Sequence, residues 1–348
     1  MTACTYKPQS ELRLDPWTAS SLLQKAIRRS ETDWALKALE ELRRHRGPAV
    51  WRRLMNIAIE DVGIADPGLV LEASALALKP ELRGGAFPED VRMRSLVEAL
   101  CEAPKDRSVD YAYCGATRLE TALSERAGLQ ELPAADLIDI AGDCHAAIFR
   151  RANAAMIACT KKRARGDVLD EEAVHKLLDV LDSPRELRLT LGLHARHRLS
   201  PFSLMLPLLW SHMQFVGGTG FTFVWKLPEV GCAGGVPLYT FDKHTAVGKR
   251  AVARLLDSCP ELTSLLLKGV ERERWNAVTG MAAFYADAVT LKRRYDWHFS
   301  DLLEELGTFA DMTWAGCPHD MVLNVLDCVS RNAGALDAIR AAEAERAT

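Results

Sequence analysis

Helix start and stop signals recur at short intervals along this chain, and that punctuation leaves little room for a sheet-based fold. Thr18 can cap a helix that carries Leu22, Leu23, Ala26 and Ile27 on one side. Ser30-Glu31-Thr32-Asp33 has the form of a capping box with Asp in place of Glu. Ala35, Leu39 and Leu42 follow at helical spacing, and Arg43, Arg44, His45 and Arg46 put cations where a helix C-terminus favours them. Gly47 stops that helix and Pro48 opens the next at its first position. The third carries Val50, Trp51, Leu54, Met55, Ala58 and Ile59 and ends at Gly63. Asp66-Pro67 starts a fourth, which Pro80 terminates; a fifth spans about Glu89 to Cys101 and a sixth about Arg107 to Leu123. Helix after helix with short joints predicts an all-α, multi-helix bundle.

The rest of the chain continues the pattern with one interruption. A polar stretch from Glu125 to Ala135 is a candidate boundary. A long helix is predicted from Ala134 to Arg165, then helices over Glu171 to Leu181 and Ser183 to His197. Gly217 to Tyr239 is rich in glycine, with Phe221, Phe223, Val224 and Trp225 alternating loosely, and reads as a loop with one small hairpin. Helical patterns resume from Thr245. The predicted organisation is an N-terminal tail (1–16), a helical domain (17–125) and a second helical domain (134–348) holding the 217–239 loop.

Composition narrows the function. With 348 residues, 48% hydrophobic and 26% charged, the chain is long enough for a sizeable core and too apolar for wholesale disorder. Lys and Arg total 44 against 47 Asp and Glu, a net charge of −3. A chain so balanced does not coat nucleic acid by bulk charge, so any such contact needs a local patch. No apolar run reaches the roughly 18 residues that a membrane-spanning helix requires. No signal peptide is visible, and the nine cysteines are scattered without a Cys-x-x-Cys pair. Both point to a reducing cytoplasm rather than a disulfide framework.

Three blocks in the first third resemble the C-terminal region of the replication-associated recombination protein A (MgsA) family, AAA+ relatives of the clamp loaders. They are the run from Lys25 to Ala35 with Arg28, Arg29, Ser30 and Asp33, the run from Arg52-Arg53 through Glu60-Asp61-Val62-Gly63-Ile64-Ala65-Asp66-Pro67, and Leu100 to Lys105 with Ala103-Pro104-Lys105. Order and spacing match across residues 17–120. Arg29 stands where the family prefers Gly, and Asp106 where it prefers Ser. The resemblance implies a clamp-loader-collar-like oligomerisation element, with a tetramer favoured, in DNA replication, repair or recombination. It does not imply chemistry. The AAA+ module is missing: the nearest approach to a phosphate-binding loop, Gly248-Lys249, has Lys243 at its first glycine position and Arg250 where a hydroxyl should hold magnesium.

Several constellations invite a functional reading. Glu60 and Asp61, near a helix C-terminus, oppose its dipole and need compensation. The predicted solution is a structural network with Arg28, Arg52 or Arg53. Lys161, Lys162, Arg163 and Arg165 lie in a stretch without acids and suit either phosphate contact or a solvated helix end. Asp242, Lys243, His244, Thr245, Lys249 and Arg250 gather at the start of a helix, where free N–H groups attract anions, although a plain N-cap with a basic face has the same residues. His194-x-x-His197 and Cys317-x-His319 lack further metal ligands at a recognisable spacing, so no metal, cofactor or catalytic residue is assigned. The expected function is a non-catalytic oligomeric factor of DNA metabolism, acting as scaffold or regulator, touching DNA through these patches and working with a separate AAA+ ATPase. An enzyme with a phosphate-containing substrate at 242–250 and a protein-only interaction module are the alternatives.

Overall fold

The computed structural model describes residues 12–84, 87–164 and 166–347. Regular structure there is overwhelmingly helical, with strands of two to four residues only. The chain adopts the all-α class that its punctuation predicts. Among the described residues no helix is long and apolar enough to cross a membrane, and seven cysteines carry free thiols. Cys232 is disulfide-bonded, which the scattered spacing did not foretell.

The chain forms two compact units that interleave in sequence. The first is built from the chain before Trp51, from Trp225–Lys292 and from Asp311 onward; the second from Trp51–Val224 and Arg293–Ala310. The polar stretch at 125–135 is therefore not a boundary between units. The helices on either side of it, Glu120–Leu129 and Ala134–Gly142, both pack on Ile148–Ala158 within the second unit.

In the first unit, the Pro16–Arg28 helix packs along Thr32–Arg46. Its cap is Asp15 rather than Thr18: the Asp15 carboxylate accepts the Trp17 and Thr18 N–H groups at 2.9 and 3.1 Å, with Pro16 in the first turn. The Thr32–Arg46 helix starts from Glu31, which makes no side-chain cap bond. Its carboxylate turns instead to Arg29 at 2.8 Å and to the Tyr239 hydroxyl. The Ala246–Ser258 helix packs against both Trp275–Ala283 and Ala333–Glu345.

In the second unit, two predicted helices are divided. The expected helix from Ala134 to Arg165 becomes Ala134–Gly142 and Ile148–Ala158. Asp143 separates them because its carboxylate accepts the His145 N–H at 2.9 Å, a local bond that competes with helix continuation. Past Ala158 the chain forms a minimal hairpin, Thr160–Lys161 against Val168–Leu169. The stretch predicted from Arg107 to Leu123 breaks at Leu119 into Ser108–Arg118 and Glu120–Leu129. The glycine-rich segment does not fold on itself alone. Phe221–Val224 pairs antiparallel with the distant Arg293–Asp296, while a small hairpin, Cys232–Ala233 against Val236–Pro237, closes around Gly234-Gly235.

The second unit also sets the Glu60–Pro67 block against Asp106 and Arg107, just past the third block. Asp61 is fully buried and lies 3.8 Å from Arg107. Its carbonyl accepts the Asp106 N–H at 2.9 Å. Gly63 has φ +54°, and a Cβ there would stand 2.8 Å from the Asp106 carbonyl oxygen, so backbone conformation and close approach both require glycine. Asp106 accepts from the Ser108 N–H at 3.1 Å and its hydroxyl at 2.6 Å. Arg107 is a neighbour of Asp61 that was not assigned from the sequence; within the first unit Arg28 donates to the Ala288 carbonyl at 2.8 Å, and Arg52 is exposed. Arg53 and Glu60 are half-buried. Lys105, fully buried, donates to the carbonyls of Cys101 and Ala103 at 3.1 and 2.6 Å, and burial pulls its ammonium down to about 8.

Burial pushes the Asp106 carboxyl up to about 6, against the pull of its Ser108 hydrogen bonds. A raised folded pKa means that the folded chain holds this proton after the unfolded chain has released it. Stability is therefore lost as pH rises from about 4 through 6, by about 3 kcal/mol for a shift of roughly two units. Asp106→Asn removes this term. The advantage of the variant over the wild type, measured by chemical denaturation, is expected to grow by that amount between pH 4 and 7; a difference that stays flat with pH would contradict it.

Candidate anion-binding cleft

The start of the Ala246–Ser258 helix is fixed from behind by a buried ion pair. Ser21 and Lys25 lie one turn apart on the Pro16–Arg28 helix. Ser21 Oγ donates to the Thr240 carbonyl at 2.7 Å, and Lys25 Nζ reaches Asp242 Oδ2 at 2.6 Å with both side chains almost wholly buried. Burial alone would push the Asp242 carboxyl up, but Lys25 and its hydrogen bond bring it below the ordinary carboxylate value. The other Asp242 oxygen accepts the His244 N–H at 2.9 Å. Thr245 caps the helix by accepting the Gly248 N–H at 3.0 Å. A Cβ at Gly248 would stand 1.9 Å from the Asp242 carbonyl oxygen, so no other residue fits there. The Gly-Lys pair noticed in the sequence reflects this close approach of helix to loop.

With Asp242 held inward, Lys243 and His244 project the other way. They line a cleft of about 660 Å³ together with Lys249, Arg274, Asn276, Met281 and Trp314. Among the described residues no carboxylate lines it. Lys243 Nζ sits 4.7 Å from the centre of the Phe284 ring, and the His244 ring meets the same phenyl edge-on at 6.3 Å. Lys243 packs beside Gly280 of the Trp275–Ala283 helix, and its ammonium reaches Met281 Sδ at 2.7 Å. The aliphatic stem of Arg274 lies against Gly316. Trp314, in the last turn of Ser300–Ala315, is 63% exposed. Three permanent or near-permanent cations and a histidine therefore surround an apolar floor in a concavity of ligand size.

The six residues expected at 242–250 thus divide. Lys243, His244 and Lys249 line the cleft. Asp242 and Thr245 are buried structural groups. Arg250 is turned to Glu343 at 2.8 Å, a carboxylate that also takes Arg254 at 2.5 Å and Arg346 at 2.6 Å and is held below its ordinary value by them. The other expected patch stands on the hairpin of the second unit. Lys161 is paired with Asp170, Lys162 and Arg163 are exposed, and Arg165 lies outside the described residues. Arg274, Asn276 and Trp314 were not assigned from the sequence. They come from separate stretches, and only the tryptophan carried a signal, being a large aromatic on a helix whose exposure periodicity does not reveal.

A second concavity of about 770 Å³ in the same unit is lined by Arg29, Glu31, Asp33, Lys37, Trp34, Trp225 and Tyr239. Its charges compensate one another. Arg29 pairs with Glu31 and stacks on Tyr239 at 4.8 Å, and Lys37 covers the Trp34 ring at 4.7 Å. Among the described residues no three His, Cys, Asp or Glu side chains gather as a metal site would need. His194 is buried against the Ser74 hydroxyl at 3.0 Å, and burial draws it down to about 3. No known family, curated protein or solved structure matches the chain.

The ion pair behind the cleft is testable on its own. Lys25→Ala leaves Asp242 buried beside no counter-charge and is expected to destabilise by about 3–5 kcal/mol in chemical denaturation. The double variant Lys25→Met/Asp242→Leu is expected to recover most of that loss. A single-variant cost below about 1 kcal/mol would show that the pair does not hold the cleft wall.

Proposed function

We propose that the chain is a non-catalytic, oligomeric factor of DNA replication, repair or recombination that binds nucleic-acid phosphates in the cleft beside Trp314. The observation that carries this reading is the lining itself: Lys243, Lys249 and Arg274 with His244 and Asn276, and no carboxylate to oppose an anion. In a chain of net charge −3, such a local concentration is the form that phosphate binding must take. Lys162 and Arg163, exposed on their hairpin, add sequence-independent contacts. The resemblance of residues 17–120 to the recombination protein family supports the assembly role, with a tetramer and a separately encoded AAA+ ATPase as partners. The contacts of Asp61 with Asp106 and Arg107 support a structural rather than chemical use of the Glu60–Pro67 motif.

A second reading keeps the same cleft for a small phosphorylated substrate. Its size and His244 favour that reading, since an imidazole can serve in proton transfer.

Light scattering with and without a labelled forked DNA, followed by anisotropy titrations at low and moderate salt, separates the two. The expected result is an oligomer whose DNA affinity falls as salt rises. Lys249→Glu and Arg274→Glu, both exposed and so tolerable to the fold, should each weaken binding on the order of 10-fold. A monomer without DNA affinity at low salt would overturn the proposal and leave the small-ligand reading.

A further inference from the structure

We infer that the cleft receives one unpaired nucleotide, with its phosphate among Lys243, Lys249 and Arg274 and its base on the Trp314 indole, so that the chain selects single strands over duplex. The inference rests on the nucleic-acid reading above and names the form of ligand that reading leaves open.

Three observations lead to it. First, the site is a concavity of about 660 Å³, on the scale of a small organic ligand and far below the footprint of a duplex. Second, its lining is of two kinds. The cations suit a phosphate, while Trp314, Met281 and Val252 present apolar surface that inorganic phosphate alone would not use. Third, Trp314 keeps 63% of its surface in solvent beside these cations. An indole face stacks on any base whose own face is open, and in a duplex both faces of each base are already covered by its neighbours. Arg250 and Arg254, on the same helix as Lys249, are tied to Glu343 and so are committed to the fold.

The test compares a short mixed-sequence single strand with its blunt duplex in anisotropy titrations, and thymidine 5′-monophosphate and inorganic phosphate by calorimetry. The single strand is expected to bind at least on the order of 10-fold tighter than the duplex. Three cationic contacts predict a slope of log K against log salt of about −2 for the strand. Trp314→Ala should weaken the single strand by roughly 10-fold or more, and Trp314→Phe should retain most of the affinity. Duplex binding as tight as the single strand, or single-strand binding untouched by Trp314→Ala, overturns the inference while the nucleic-acid reading stands. Thymidine 5′-monophosphate binding no weaker than the strand overturns it in favour of a free nucleotide. Absence of binding to either DNA form overturns the nucleic-acid reading itself.

Discussion

The Lys25–Asp242 ion pair is the contact on which the candidate site depends. Its two members come from different segments of the first unit, one before Trp51 and one within Trp225–Lys292, and neither is stable in the interior without the other. Holding Asp242 inward does three things at once. It brings the loop carbonyl down against Gly248, it orients the Asp242 carboxylate to receive the His244 N–H, and it sends Lys243 and His244 to the opposite side. The only acid in the 242–250 segment is thereby removed from the cleft and neutralised. What remains facing solvent is positive, although the chain as a whole is slightly negative.

The same logic explains why the cations of this region are not equivalent. Arg250 and Arg254 sit on the same helix as Lys249, yet both converge on the buried Glu343 carboxylate. They tie the Ala246–Ser258 helix to Ala333–Glu345 and are committed to the fold. Arg274 carries the same charge but rests its stem on Gly316 and lines the cleft. The second concavity illustrates the other outcome: Arg29 pairs with Glu31 and lies over Tyr239, and Lys37 covers the Trp34 ring. Net charge and local composition do not distinguish these cases; the partner of each side chain does.

Much of the fold was legible because helix boundaries are written in local chemistry. Asp66-Pro67, Pro80, Glu89 and Pro104 mark ends that the structure keeps within a residue or two. The failures share a cause. Asp143 and Leu119 break helices through short-range bonds and backbone turns inside stretches whose apolar spacing continues, so periodicity runs straight through them. The pairing of Phe221–Val224 with Arg293–Asp296 was not legible, since no local signal names a distant strand. At the site, Lys243, His244 and Lys249 were visible as a cluster in sequence. The inward turn of Asp242 and the commitment of Arg250 were not, because their partners Lys25 and Glu343 lie far away along the chain. Arg274 and Trp314 join the cleft for the same reason, through tertiary packing alone.

The interleaved order of the chain bears on how this protein comes into being. The second unit needs nothing beyond Ala310. The first cannot be completed until the chain from Asp311 has been made, since Arg340 of the Ala333–Glu345 helix supplies the buried partner of Asp287 and Glu343 that of Arg250. During synthesis, the Pro16–Arg28 helix also waits for the Leu238–Asp242 stretch to emerge, since Lys25 pairs with Asp242 there. Closing so long a loop is entropically slow. That interval is when the nascent chain is most exposed to aggregation and to capture by chaperones.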